Sequence, residues 1–468
     1  MSEQKYPVKK GREYELKIDK LSFGGAGVAK IENYVIFVKD TVPGDTVVAR
    51  IQKRKKSYAE ARLLEIQSPS AQRVAAPCPY FEWCGGCTWQ NLSYEDQLAH
   101  KRNIVIESLQ HIAGIESGSV APVLAADKKL AYRNKMEFSF SDRRWLLPQE
   151  LGNPHIKKGF ALGLHVPGTF DKILQVDSCL LQSETANAIL KYVSDYAQEH
   201  GLEPYGIYSH QGFLRFLVIR ESDYSGEIMV NIVTGYKDMV RLKPLAAELI
   251  GNFPQIGSIV NNINTRRAQI AMGEEEVLLE GKPYIREKLG QFIFNISAGS
   301  FFQTNTRQAG RLYDTVLQFA GIEETDIVWD LYAGTGTISL FLAQKAKEVI
   351  GFEIGDSAVR DAEKNALEHG IDNARFVGGD LLHELRETQP RPDILVTDPP
   401  RAGMHEKVVA CIKRLLPRRV VYVSCNPTTL ARDLALLKEN YSIARVQPVD
   451  MFPQTYHIET VVQLNRRQ

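Results

Sequence analysis

The chain has 468 residues, of which 44% are apolar and 24% charged. That balance excludes a disordered or fibrous chain, and at about 100–200 residues per domain it predicts two to four domains. Formal net charge is only +1, so bulk charge does not argue for a polyanion partner.

No apolar run reaches the roughly 18 residues of a membrane span, and Met1–Tyr6 lack the apolar segment of a secretion signal. No membrane contact, a cytoplasmic location and no obligate protein partner are therefore expected. Charge is unevenly placed: residues 1–62 hold 14 Lys and Arg against 8 Asp and Glu. The run Lys53-Arg54-Lys55-Lys56 lies in this stretch, and a local basic surface suits a polyanion. Tyr14–Ile18 alternates with period two. Tyr34–Val38 and Thr46–Ile51 read as buried apolar strands, with turns at Gly24–Gly27 and Pro43-Gly44-Asp45. Short strands in so few residues predict a small β-barrel over 1–66, a shape suited to single-stranded nucleic acid.

Cys78, Cys84 and Cys87 follow with spacing C-x5-C-x2-C, and Cys179 is a distant fourth candidate. In a chain without a secretion signal such thiols argue for a metal or cluster rather than disulfides. Four thiolates suit zinc or an iron–sulfur cluster, and spacing alone does not choose. A helix is expected from Tyr94 to about 116, with Leu98, Val105, Leu109 and Ile112 at helical intervals. This helix is a candidate to pack on the C-terminal domain. The remainder of 67–285 mixes strands and helices and predicts a central α+β domain.

From 286 to 468 strands and helices alternate, the pattern of a Rossmann-like doubly wound domain. Asp330–Thr337 is a glycine turn after a strand, where missing side chains let backbone approach a ligand. Glu353 ends the next strand, placed to accept hydrogen bonds from ribose hydroxyls. The loop lacks the full Gly-x-Gly-x-x-Gly of a pyrophosphate site, which favours S-adenosylmethionine over a dinucleotide. Asp380 is a candidate adenine-side contact.

Asp398-Pro399-Pro400-Arg401 and Ser424-Cys425-Asn426-Pro427 each follow a strand of this domain and so end at the sheet's ligand edge. His457-Ile458-Glu459 precedes a last strand. Uracil C5 is a poor nucleophile until a thiolate adds to C6. A base must afterwards remove the C5 proton. Cys425 suits the first role and Glu459 the second, with Asp398 orienting the base or the methyl donor. Cys411, within a helical stretch, reads as core.

With Phe301-Phe302-Gln303-Thr304-Asn305, these segments resemble the bacterial RNA uracil-C5 methyltransferase family, in its 23S ribosomal RNA branch. The resemblance implies Cys425 as nucleophile and Glu459 as base. It implies a cofactor pocket of Gln303, Tyr332, Thr337, Glu353, Asp380 and Asp398, and a [4Fe–4S] cluster on Cys78, Cys84, Cys87 and Cys179. Residues 1–66 resemble the TRAM domain, an OB-like RNA-binding barrel. In the family's transfer-RNA branch both this module and the cysteine cluster are absent, so their joint presence implies ribosomal RNA, with the target uridine single-stranded or flipped. Competing readings are a tRNA uracil-C5 enzyme, an exocyclic-amine methyltransferase of the Asp-Pro-Pro class, and an inactive iron–sulfur RNA-binding protein. Arg401 stands where the exocyclic-amine class has a stacking aromatic.

Overall fold

The computed structural model describes residues 6–116, 118, 120–156 and 158–467. Residues 1–5 of the expected first domain and Gln468 of the last lie outside them. The chain forms two compact units, one of residues 1–75, 91–127 and 307–468, the other of 76–90 and 128–306.

The first unit begins with six strands, Glu13–Lys17, Lys20–Leu21, Gly27–Ile31, Tyr34–Val38, Thr46–Arg54 and Tyr58–Ser68, in one sheet of order 1-5-6-4-3-2. Leu16, Ile18, Ile36, Val38, Val47 and Ile51 form its core. Tyr34–Val38 is not the uniformly buried run its apolarity predicts. Tyr34, Ile36 and Val38 are buried while Val35 and Phe37 are only partly covered, because successive side chains leave opposite faces of a strand.

The helix Tyr94–Ser108 starts at Ser93, whose hydroxyl accepts from the amide of Asp96 at 3.1 Å, the usual solution for an orphan first-turn donor. It continues as a π-turn, Leu109–Ala113, and stops at Gly114 (φ +64°). Its buried face departs from the expected apolar stripe. Val105 and Leu109 are buried, but Ile112 is 43% exposed, and the polar Gln97 and Lys101 are fully buried.

The last part of the unit is a seven-stranded sheet. Its spatial order is Ala374–Gly378, Glu348–Glu353, Ile327–Leu331, Ile394–Thr397, Arg419–Ser424, Glu459–Arg466 and Tyr441–Val449. The first five are parallel and the last two antiparallel. Trp329, Leu331, Ile350, Leu395, Val420 and Tyr422 fill its core, with Cys411, Val105 and Leu109 packed in.

The second unit holds an eight-stranded mixed sheet with helices Glu184–Glu199 and Met239–Asn252 in its core, and a separate hairpin, Ile285–Leu289 with Phe292–Ile296. These units divide the chain at other places than the expected domain boundaries at 66 and 285. Residues 91–127 join the first unit because helix Tyr94–Ser108 bonds to its C-terminal loop, Lys101 donating to Asp450 and Phe452. Residues 286–306 join the second because Glu287 accepts from the Asp223 amide and the Thr306 hydroxyl, and Arg220 donates to Ala298 and Ser300. Among the described residues no helix is long and apolar enough to cross a membrane.

Candidate active site

Strand Ile327–Leu331 runs into the turn 332–336. Tyr332 has φ +65°, a left-handed conformation that costs a non-glycine residue about 1–2 kcal/mol and that marks functional loops. Gly334 (φ +56°) has nothing within 4 Å of where a Cβ would stand, whereas at Gly336 a Cβ would meet Phe376 at 2.8 Å and Ala362 at 2.9 Å. One glycine thus leaves open space and the other permits close packing. Asp330 is fully buried. One carboxylate oxygen accepts from Ser339 Oγ at 2.6 Å and the other has no partner. Burial, then the nearby Asp398 and Glu353 charges, push it up to about 7.

Glu353 ends the neighbouring strand and accepts from the amides of Gly334 (3.0 Å) and Gly355 (2.9 Å). Thr337 opens the helix Thr337–Ala343, and its hydroxyl lies 3.4 Å from that of Thr335. Asp380 is exposed and caps the helix Leu381–Glu387 by accepting from the Leu382 amide at 2.8 Å. Gln303 belongs to the second unit, where its carbonyl accepts from the Asn134 side chain at 2.8 Å.

Cys425 and Glu459 are brought together by strand register. Ser424 pairs with Thr460 across an antiparallel ladder, so the next residues outward, Cys425 and Glu459, are cross-strand neighbours. Both are half-buried, as is Asp398. Burial, then Glu459 and Asp398, raise the Cys425 thiol to about 11, and Arg401 opposes this. Burial, then Asp398, raise Glu459 to about 8, again against Arg401. Burial alone raises Asp398 to about 7. The cluster holds a thiol, two carboxyls and one guanidinium at the carboxyl ends of the parallel strands, where the antiparallel strand Glu459–Arg466 begins.

Sequence reasoning assigned no positioning role to the residues that hold the 398–404 loop. Asn426 donates to the Arg401 carbonyl at 3.0 Å and caps the following helix by accepting from Thr428. Thr429 donates to the same carbonyl at 3.2 Å. Asp433 accepts from the Met404 amide at 2.8 Å and the Tyr422 hydroxyl at 2.7 Å. The Asn-Pro after Cys425 is an N-cap signature, so Asn426 was findable; Asp433 carries no comparable signal. His457 has its ring 4.2 Å from Tyr456 and 5.9 Å from Phe452, centroid to centroid.

In the second unit Cys78, Cys84, Cys87 and Cys179 line one cavity of about 190 Å³, together with Arg133 and Glu137. All four are free thiols. Burial raises Cys84 to about 11 and Cys87 to about 12, and raises Cys78 and Cys179 as well. For Cys84, Cys87 and Cys179 the charges of neighbouring cysteines add to the shift. Among the described residues no group of three or more His, Cys, Asp or Glu is arranged to hold a metal ion.

A family model described as tRNA (Uracil-5-)-methyltransferase matches residues 260–467, and a TRAM domain model matches residues 7–64. An uncharacterized RNA methyltransferase of Chlorobaculum tepidum is 48% identical over 91% of this chain and 90% of its own length. One from Porphyromonas gingivalis is 40% identical over 96% and 99%. Among solved structures, a Pyrococcus abyssi tRNA (uracil-54, C5)-methyltransferase in complex with S-adenosyl-L-homocysteine superposes with a TM-score of 0.74 at 28% identity, covering 96% of this chain and 100% of that one. Because a tRNA enzyme aligns over its whole length, the presence of the N-terminal module does not separate ribosomal from transfer RNA. With a 48% identical relative spanning nine-tenths of both chains, the protein belongs to the RNA uracil-C5 methyltransferase family and carries a TRAM domain.

Proposed function

We propose that the protein methylates C5 of a uridine in 23S ribosomal RNA, using S-adenosylmethionine and a transient bond from Cys425 to C6 of the base. The observation that carries the reading is the cross-strand placement of Cys425 beside Glu459. Cys425 Sγ, as thiolate, adds to C6, and the C5–C6 electron pair moves toward C5 and the O4 carbonyl. Bound S-adenosylmethionine would supply an electrophilic methyl group, its sulfur keeping the bonding pair and leaving as S-adenosylhomocysteine, and C5 takes up that methyl group. Glu459 carboxylate then removes the C5 proton, the C5=C6 bond reforms and the thiolate leaves. Arg401 favours the charged forms of both groups. Asp398 orients the pyrimidine edge or the methyl donor.

Gln303, Tyr332, Thr337, Glu353, Asp380 and Asp398 are the proposed cofactor residues. Support comes from the open space at Gly334 and from the two Glu353 oxygens at the rim of that turn. A ribose offers hydroxyl donors to such a carboxylate. The proposed domains are 1–66, 67–285 and 286–468, and the proposed location is the cytoplasm.

For the cysteines we propose a [4Fe–4S] cluster. Four thiols around one cavity, each raised by burial and three of them also by neighbouring cysteines' charge, fit a ligand that supplies positive charge. A cavity, rather than a point of convergence, suits a multi-iron group over a single zinc ion. The expected role is structural, or in positioning RNA.

The P. abyssi likeness favours a second reading, a tRNA substrate. One experiment decides. The protein and S-adenosylmethionine are incubated separately with unmodified 23S ribosomal RNA and with transfer RNA, and the nucleosides are analysed by mass spectrometry. 5-Methyluridine in ribosomal RNA alone is expected. Its appearance in transfer RNA alone establishes the second reading, and a methyl group on an exocyclic amine overturns both.

A further inference from the structure

The TRAM sheet carries an aromatic and basic surface that the catalytic cluster does not use. Phe37 and Val35 leave the sheet on the face opposite its core. Register sets Phe37 beside Val28, Val28 beside Lys20, and Val35 between Lys30 and Tyr58. Helix Tyr94–Ser108 stands against this face, with Glu107 bonded to Lys20 at 2.6 Å. Between them lies a cleft of about 340 Å³ lined by Lys20, Phe23, Lys30, Phe37, Ile104 and Glu107, among others. That is near the lower end of ligand pockets, about 300–1,000 Å³, and leaves room for one nucleotide.

Both ends of the cleft continue into features already described. On one side the Phe37 ring meets Tyr58 edge-on at 5.6 Å. Lys55 donates its amide to the Tyr58 carbonyl at 2.8 Å, and the basic turn Lys53–Lys56 follows. On the other side the Phe23 ring meets Tyr456 at 5.6 Å, and Tyr456 lies 4.2 Å from His457, two residues before Glu459. Aromatic rings interleaved with lysines are what single-stranded nucleic acid needs, since every base has a π-face and every linkage a charge. Glu107 already neutralises Lys20, so exposed Lys30 is the cation left for a phosphate.

We propose that this cleft holds a nucleotide flanking the target uridine, its base against Phe23 and Phe37 and its phosphate at Lys30, with the RNA strand running on to Cys425 and Glu459. The proposal rests on the reading of the protein as an RNA uracil methyltransferase. It adds a second binding site that fixes which nucleotides surround the target.

The test uses the full chain and an oligouridylate carrying 4-thiouridine. Near-ultraviolet crosslinks mapped by mass spectrometry should fall on peptides containing Phe23 and Phe37. Phe37→Ala and Lys30→Glu should each raise KM for RNA about tenfold, the scale of one lost stacked base, with kcat and S-adenosylmethionine affinity kept. Lys30 is exposed, so its variant answers for any folding defect of Phe37→Ala. Crosslinks only elsewhere, or unchanged KM in both variants, overturn the proposal, as does a cleft filled by another protein segment. Crosslinking does not need turnover. A wild-type protein that makes no methyluridine but still crosslinks at Phe23 and Phe37 refutes the proposed function and supports the cleft.

Discussion

Lys101 and Asp450 form an ion pair at 2.5 Å with both side chains wholly out of solvent. Asp450 also accepts from the Tyr94 hydroxyl, Lys101 also donates to the Phe452 carbonyl, and Gln97 exchanges hydrogen bonds with Gln454. Three side chains of one helix, at 94, 97 and 101, are thus committed to the loop that delivers Glu459.

Removing one partner should therefore be costly. Lys101→Met strands the Asp450 charge in the interior, and such losses run to about 3–5 kcal/mol. A lower denaturant midpoint is expected, with methyl transfer falling because the loop before Glu459 loosens. Lys101→Met with Asp450→Leu should recover part of the stability, since two apolar groups leave no orphaned charge. A double variant no more stable than the single one contradicts this account.

Cys425→Ala should abolish methylation, while Glu459→Gln should stall after methyl transfer. Without a base the C5 proton stays and the thiolate cannot leave, so the enzyme remains bonded to RNA. Loss of a positioned general base is worth about 10²–10⁴-fold. Denaturing gel electrophoresis should show a slow-migrating protein–RNA band for Glu459→Gln with S-adenosylmethionine, and none for Cys425→Ala.

Much of this site is legible in the sequence because its residues close strands of a βαβ pattern. Asp330, Glu353, Asp398 and Cys425 stand at or next to the ends of apolar runs whose alternation with helices is plain. What periodicity does not carry is register. The pairing of Ser424 with Thr460 decides that Cys425 and Glu459 meet, and an antiparallel last strand could slide without changing its composition. Helix Tyr94–Ser108 misleads for a related reason: its covered face is polar at Gln97 and Lys101, and buried hydrogen bonds leave no apolar stripe to read. Tyr34–Val38 misleads oppositely, since its outward Val35 and Phe37 are as apolar as its core residues.

The raised Glu459 carboxyl has a stability consequence. Its folded value of about 8 exceeds the ordinary 4.5, so the native state binds this proton more tightly than the unfolded chain. The group therefore favours folding while protonated, and that contribution is lost as pH rises from about 4.5 through about 8. Glu459→Gln keeps the size and removes the titration. Its Tm should match the wild type near pH 5 and exceed it by a few degrees near pH 8. A gap that shrinks with rising pH contradicts the sign.

Catalysis should show the opposite slope. The Cys425 thiol, raised to about 11, and Glu459, at about 8, must both lose protons to act. Their charges oppose each other, so the two steps belong to the pair. kcat/KM should climb from pH 6 to 9 without a plateau near neutrality. Arg401 lowers both groups, so Arg401→Gln should move the profile to higher pH, while a simple binding defect would lower it uniformly.

The cysteine cavity allows a test independent of turnover. Burial holds all four thiols neutral, so metal-free protein carries four thiols around a cavity of about 190 Å³. A cluster would tie residues 78–87 to Cys179, which lie far apart in sequence, and so contribute folding free energy. Anaerobically purified wild type should be brown with iron and sulfide in equal amounts, and chelation should lower its Tm. Cys87→Ser should lose the colour and most of that stability. A colourless wild type with bound zinc would replace the cluster by a single ion.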